Sequence, residues 1–174
     1  LQTDADYLVV LEDDLRIDNN FSSTLQEILH YLHSQKNIEW SLINIAAKKN
    51  KISREIFRTH DYSLVRAYYF PIRGVGLVWS RQGAHDFLKM AQNPCLPVDI
   101  FFQNWLIKNG KGLSIWPPLV RPAGLDSDIL GTVATQRVRR KQKENRDFSF
   151  FMKKQLRLLK NNILAYINFL SFKS

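Results

Sequence analysis

The sequence predicts an α/β domain. Short apolar runs of strand length alternate with stretches whose apolar residues recur at helical spacing. Turn residues separate them, as at Asp18-Asn19-Asn20, Asn93-Pro94 and Pro117-Pro118. The length of 174 residues suits one domain, and 45% hydrophobic content is enough to pack its core.

The elements follow in order. Tyr7–Leu11 is a short run without polar alternation, the pattern of a strand buried on both faces in a parallel sheet. Ser22 or Ser23 is placed to cap a helix, with Gln26 or Glu27 completing a capping box. Leu25, Ile28, Leu29 and Leu32 give that helix one apolar face. Residues 40–45 read as a second strand. Residues 47–61 are basic and polar without a period, which predicts a long loop of the kind that often carries function. Residues 65–70 and 75–79 are strand candidates separated by Pro71 and Gly74.

Ser80 caps a helix running to about Ala91, and Asn93-Pro94 ends it. Asp99 is placed to cap a second helix over 100–108, with Gly110 at its C-terminal end. Residues 113–116 form a last strand stopped by Pro117-Pro118. Residues 122–147 lack an apolar period and are expected to be mobile. A helical stripe returns over 148–170, through Phe148, Phe151, Met152, Leu156, Leu159, Ile163, Tyr166, Ile167 and Leu170. Lys153, Arg157 and Lys160 fall on another face.

Charge is unevenly distributed. Residues 1–136 hold 14 Lys+Arg and 14 Asp+Glu, while 137–174 hold 11 and two, so the whole net charge of +9 sits on the tail. A neutral body with a basic tail points to an anionic partner surface. Three readings of the tail stand open. Its helix can pack on the body or lie on an anionic membrane, and the basic run can bind nucleic acid. No groove-reading motif accompanies the charge, so nucleic acid is not the expected partner.

Cys95 is the sole cysteine, which excludes an intramolecular disulfide and a cysteine-built zinc site. His30, His33, His60 and His85 share no metal-ligand spacing. No apolar run reaches the ~18 residues of a transmembrane helix. The chain opens on Leu1, with few residues before its first strand, and is expected to be the C-terminal part of a longer protein. The expected organisation is a catalytic-domain portion over 1–130, a basic linker over 131–147 and an amphipathic tail over 148–174.

The first strand runs straight into Glu12, Asp13 and Asp14. Three adjacent carboxylates repel one another, and either water or a divalent cation must offset that. Mg²⁺ and Mn²⁺ prefer hard oxygen ligands and often take one or two carboxylates plus substrate phosphates. Ligands of open α/β sheets bind beyond the carboxyl ends of the strands, where these acids lie. Strand alternation sends Glu12 and Asp14 to one side and Asp13 to the other. A solvated turn leading into the first helix is the competing reading.

Four segments carry a resemblance. "DYLVVLEDD", "GVGLVWSRQGAHDFL", "LPVDIFFQNWL" and "SIWPPLVRPAGLDSDI" occur in the order and spacing of glycosyltransferase family 25, which includes lipopolysaccharide and lipooligosaccharide biosynthesis glycosyltransferases and the collagen galactosyltransferases. The resemblance covers about residues 5–130. It implies a partial GT-A-like (Rossmann-like) glycosyltransferase domain, followed here by a basic amphipathic helix. The family's opening strand and Arg-rich nucleotide-binding segment have no counterpart in this sequence.

The resemblance also implies roles. Asp14 is a metal ligand with Glu12 beside it, and Glu12 and Asp13 belong to the donor site. Asp99 is the general base of an inverting transfer, although an Asp at a helix start is also an ordinary cap. Gly74 and Gly76 bring backbone close to the donor sugar or simply form a turn. Trp79 and Trp116 stack on a sugar or sit in the core. Arg121 and Ser127-Asp128 lie in a loop that can close over the donor, and Lys48, Lys49 and Lys51 can meet a phosphate.

The implied reaction moves a hexose, with galactose the first candidate, from a UDP-sugar to a lipid-linked oligosaccharide acceptor, with Mn²⁺ or Mg²⁺. The implied location is the cytoplasmic face of a bacterial inner membrane, touched through 137–170. Two alternatives stand beside this: a truncated, non-catalytic remnant that only binds, and a metal-dependent nucleotidyltransferase.

Overall fold

The computed structural model describes residues 4–91, 96–123 and 148–171. Eight strands and four helices are described: β1 (Tyr7–Leu11), β2 (Leu15–Ile17), α1 (Phe21–Ser34), β3 (Leu42–Asn44), β4 (Ser53–Arg58), β5 (Ser63–Ala67), β6 (Gly76–Ser80), α2 (Arg81–Met90), α3 (Val98–Asn109), β7 (Gly112–Trp116), β8 (Val120–Pro122) and α4 (Phe148–Ser171). The α/β class is as the sequence predicts.

Six strands form one mixed sheet in the order β1-β6-β3-β7-β5-β4, and β2 pairs with β8 in a separate ribbon. Only β3 and β7 run parallel; every other neighbouring pair is antiparallel. The expectation of a doubly buried parallel strand at Tyr7–Leu11 is therefore corrected. Among the described residues β1 is an edge strand with β6 as its one neighbour, and Leu8, Val9, Val10 and Leu11 are all exposed. Its apolar run gave the right element and the wrong position, because burial on both faces needs cover that the described residues do not provide.

The predicted loop over 47–61 is also corrected. It contains β4, the opposite edge strand, which pairs with β5 through a register shift between Glu55 and Phe57. Edge strands carry charge, and Arg58 and Glu55 bridge at 2.6 Å on this one. That composition concealed the strand. The short β2 and β8 had no periodic signal at all. Residues 124–147 lie outside the described residues, and with them the expected mobile stretch, Ser127-Asp128 and the basic linker.

α1 buries Leu25, Ile28 and Leu32 against the sheet, in the core with Ile43, Leu64, Val78, Leu113 and Ile115. The expected capping box is absent. Asn20 is the N-cap without a side-chain bond, and Ser23 Oγ instead donates to the Asn20 carbonyl at 3.1 Å. α2 starts as predicted: Ser80 Oγ accepts from the Gly83 amide at 3.0 Å and donates to the Trp40 carbonyl at 2.9 Å. One hydroxyl thus caps a helix and ties it to the strand layer. α2 and α3 cover the other face, where Trp79 meets Phe87, Phe102 and Trp105. Trp79 is a core residue. Gly110, at φ 66°, ends α3 in the left-handed conformation that favours glycine.

Candidate functional site

Strand directions gather the site. β1, β3 and β7 point the same way, and the antiparallel β6 begins where they end. One edge of the sheet therefore holds the acids after β1, Lys48 after β3, Trp116 at the end of β7, and the 71–76 segment that leads into β6.

The acidic segment is anchored by its backbone. The Glu12 amide donates to the Val75 carbonyl at 3.0 Å, one step beyond the Leu11–Gly76 pair, and the Ala123 amide donates to the Asp14 carbonyl at 2.8 Å. Glu12 and Asp13 are exposed and Asp14 is half-buried. Asp99 comes from a distant part of the chain, in the first turn of α3. It is not the helix cap: α3 begins at Val98 and its N-cap is Pro97, with no side-chain capping bond. The capping expectation for Asp99 is corrected, because Pro97 has already turned the chain one residue before the helix starts.

Asp99 lies against Gly74. A Cβ built on Gly74 would collide with Asp99 Oδ1, so the missing side chain is what lets the carboxylate sit there. Burial holds Asp99 above the usual Asp range, even though the first turn of a helix favours negative charge. Glu12 is also raised, first by partial burial and then by Asp14, Asp99 and Asp13. The structure thus brings together all four acids that the sequence singled out. Gly76 has a packing role: it is buried, and its Cβ would strike Val120 and Ile45.

Cationic groups lie at the same edge. Lys48, Arg73, Trp116, Pro117, Pro118, Arg121 and Pro122 line a hollow of about 460 Å³. Trp116 is 42% exposed, unlike Trp79. A neighbouring hollow of about 270 Å³ shares Lys48 and Arg73 and adds Lys49 and Lys51, with Lys51 stacked over the Tyr69 ring at 4.5 Å.

Sequence reasoning missed Asn44. It is fully buried at the end of β3. Its Nδ2 donates to the Arg73 carbonyl at 2.5 Å, and its Oδ1 accepts from the Ala46 amide at 2.9 Å. It thereby fixes the segment carrying both Arg73 and Gly74. A polar residue inside an otherwise apolar run, Leu42-Ile43-Asn44-Ile45, was the available signal.

The donor set suits a hard divalent cation. Burial and the three neighbouring carboxylates make the charged form of Glu12 costly, and such an ion would relieve it. Among the described residues, no three Asp, Glu, His or Cys side chains converge as a ready-made ligand set. Asp14 and Glu12 would therefore supply part of a coordination shell, with substrate oxygens and water the rest, as is usual for Mg²⁺.

The chain is thus an α/β protein whose clustered carboxylates and cation-lined hollow share one edge of a mixed sheet. The family follows from sequence comparison. The profile of glycosyltransferase family 25 (LPS biosynthesis protein) matches residues 1–102, and the chain belongs to this family. It is 36% identical over 97 residues to procollagen galactosyltransferase 1 of Danio rerio. That alignment covers 53% of this chain and 15% of the relative, so the chain spans only a small part of the relative's length.

Proposed function

We propose that this sheet edge is the acid-lined part of a glycosyltransferase site of GT-A-like design. It moves a hexose from a UDP-sugar to a sugar hydroxyl with inversion. The observation that carries the reading is that Asp99 acts on Glu12, the acid that Asp13 and Asp14 also act on, although the two lie nearly ninety residues apart in sequence. The family description supports a lipopolysaccharide-type acceptor, and the relative's name supports galactose as the sugar.

In this reading the acceptor hydroxyl oxygen bonds to the anomeric carbon as the bond from that carbon to the diphosphate oxygen breaks. The bonding pair leaves with UDP, and the hydroxyl proton passes to Asp99. Burial equips Asp99 for this by making its carboxylate a stronger base than a solvated one. Asp14 and Glu12 would hold Mn²⁺ or Mg²⁺, which when bound supplies neutralising charge to the leaving diphosphate. Lys48, Arg73 and Arg121 line a hollow at the same sheet edge and could add fixed positive charge for the diphosphate. Trp116 offers an exposed aromatic face for a sugar ring or base.

The test is nucleoside diphosphate release from a panel of UDP-sugars, with and without Mn²⁺. Metal-dependent UDP release with one sugar is expected. Release of pyrophosphate instead would move the assignment to nucleotidyl transfer. A folded protein that binds UDP and releases nothing would be the non-catalytic remnant.

A further inference from the structure

α4 packs on the body with the wrong face for an ordinary core helix. The side that meets α3 and the sheet edge carries Leu158, Asn161, Leu164, Ala165, Asn168 and Phe169. Much of its adhesion is polar: Asn161 Nδ2 donates to Asn104 Oδ1 at 2.9 Å, and Asn168 Nδ2 donates to the Ile107 carbonyl at 2.6 Å. At ~100° per residue, the opposite side carries Met152, Leu156, Leu159, Ile163, Tyr166 and Leu170. Every one of these is exposed, from 42% for Met152 to 60% for Leu156. The longest apolar stripe in the chain therefore faces solvent. A hollow of about 510 Å³ continues it, where Ile163, Tyr166, Ile167 and Leu170 meet Ile52 of the body.

We propose that this stripe docks α4 onto an anionic phospholipid surface, lying in the plane of the interface. Charge selects this occupant. α4 contains Lys153, Lys154, Arg157 and Lys160 and no acidic residue. All the net charge of the chain lies on residues 137–174. No described helix is long and apolar enough to cross a membrane, so α4 can lie on the surface but not span it. Lys153 and Lys160 each follow a stripe residue directly. Beside a bilayer they reach the headgroups, whereas a second copy of the stripe would bring like charges together. The surface does not involve the acid-lined edge, so this inference stands apart from the transferase reading.

The experiment is co-sedimentation of the full chain with vesicles, with no nucleotide present. Phosphatidylcholine vesicles are compared with vesicles that also contain phosphatidylglycerol. The chain should bind the anionic vesicles and largely ignore the neutral ones. A Leu156→Asp, Leu159→Asp variant should lose about tenfold or more in partitioning while its thermal midpoint stays unchanged, since both side chains are exposed and neither meets the body at the Ile52 hollow. A Lys153→Gln, Lys160→Gln variant should weaken binding to the anionic vesicles. Three results overturn the proposal. One is no binding to anionic vesicles. Another is unchanged binding by the stripe variant, which would leave the charge alone responsible. The third is a wild-type dimer in sedimentation equilibrium that the stripe variant converts to monomer, which would assign the stripe to a second copy.

Discussion

Gly74→Ala isolates the role of Asp99 better than any change at Asp99 itself. Gly74 lies outside the left-handed region, so an alanine there meets no backbone strain. The new methyl group collides with one atom, Asp99 Oδ1, the movable end of a side chain. Ordinary contact needs a displacement of about 1 Å, which a rotation of Asp99 can provide. Stability should then change by less than about 1 kcal/mol, because the smaller entropy of the unfolded alanine chain offsets part of the crowding. A 1 Å misplacement of a group that must meet the reacting hydroxyl lowers turnover by about 10²-fold, or about 2.7 kcal/mol of barrier.

The assay is steady-state UDP release together with a thermal melt. Turnover should fall by about two orders of magnitude with the melting temperature nearly constant. In an Asp99→Asn background the same Gly74→Ala change should have no further effect on turnover, because both act on one group. Full wild-type turnover in correctly folded Gly74→Ala would refute the argument, since the displaced carboxylate would then have no part in the reaction.

Three more outcomes follow from the site. Asp99→Asn should abolish most turnover without lowering the thermal midpoint at neutral pH. The raised pKa means that Asp99 favours the fold when protonated, a contribution present below its unfolded value of about 3.9 and lost as pH rises through the folded value. The wild-type kcat/KM should show an acid limb set by that raised value, and Asp99→Asn should remove it. Asp14→Asn should weaken the dependence on Mn²⁺, read as a higher metal concentration at half-maximal UDP release; unchanged dependence would take Asp14 out of the ligand set. Asn44→Ala should leave the buried Ala46 amide and Arg73 carbonyl without their partner, destabilising the fold by about 1–3 kcal/mol in urea melts and raising the KM for the donor.

What could be read from the sequence was local. The period of α1, the cap at Ser80 and the glycine at 110 are each decided within a few residues, and all three stand in the structure. The acids after β1 were legible because a charged triplet closing an apolar strand is unusual. Their meeting with Asp99 was expected only from resemblance, since nothing in the spacing of residues 12 and 99 encodes it. β1 and β4 failed for opposite reasons. β1 is apolar enough to be central yet lies at an edge, and β4 is polar enough to be a loop yet pairs as a strand. For α4 the sequence revealed the stripe but not its direction, because Asn104 and the Ile107 carbonyl, which hold its other face, lie in α3.

The arrangement also explains why the site depends so heavily on backbone. The acids, the cations and Asp99 arrive on separate connections, and among the described residues few side-chain bonds join them. Their relative positions are set by the strand ladders: Glu12 through Val75, the 71–74 segment through Asn44, and Arg121 through the pairing of β2 with β8. Like-charged carboxylates cannot hold one another in place, so the burial and the neighbouring charge that together raise Glu12 must be resisted by those ladders. Free energy invested in this way is recovered when a bound cation and diphosphate bring the opposite charge. Ligand binding should therefore stabilise this fold more than its contact area suggests, and the gain should disappear when Asp14 is neutralised.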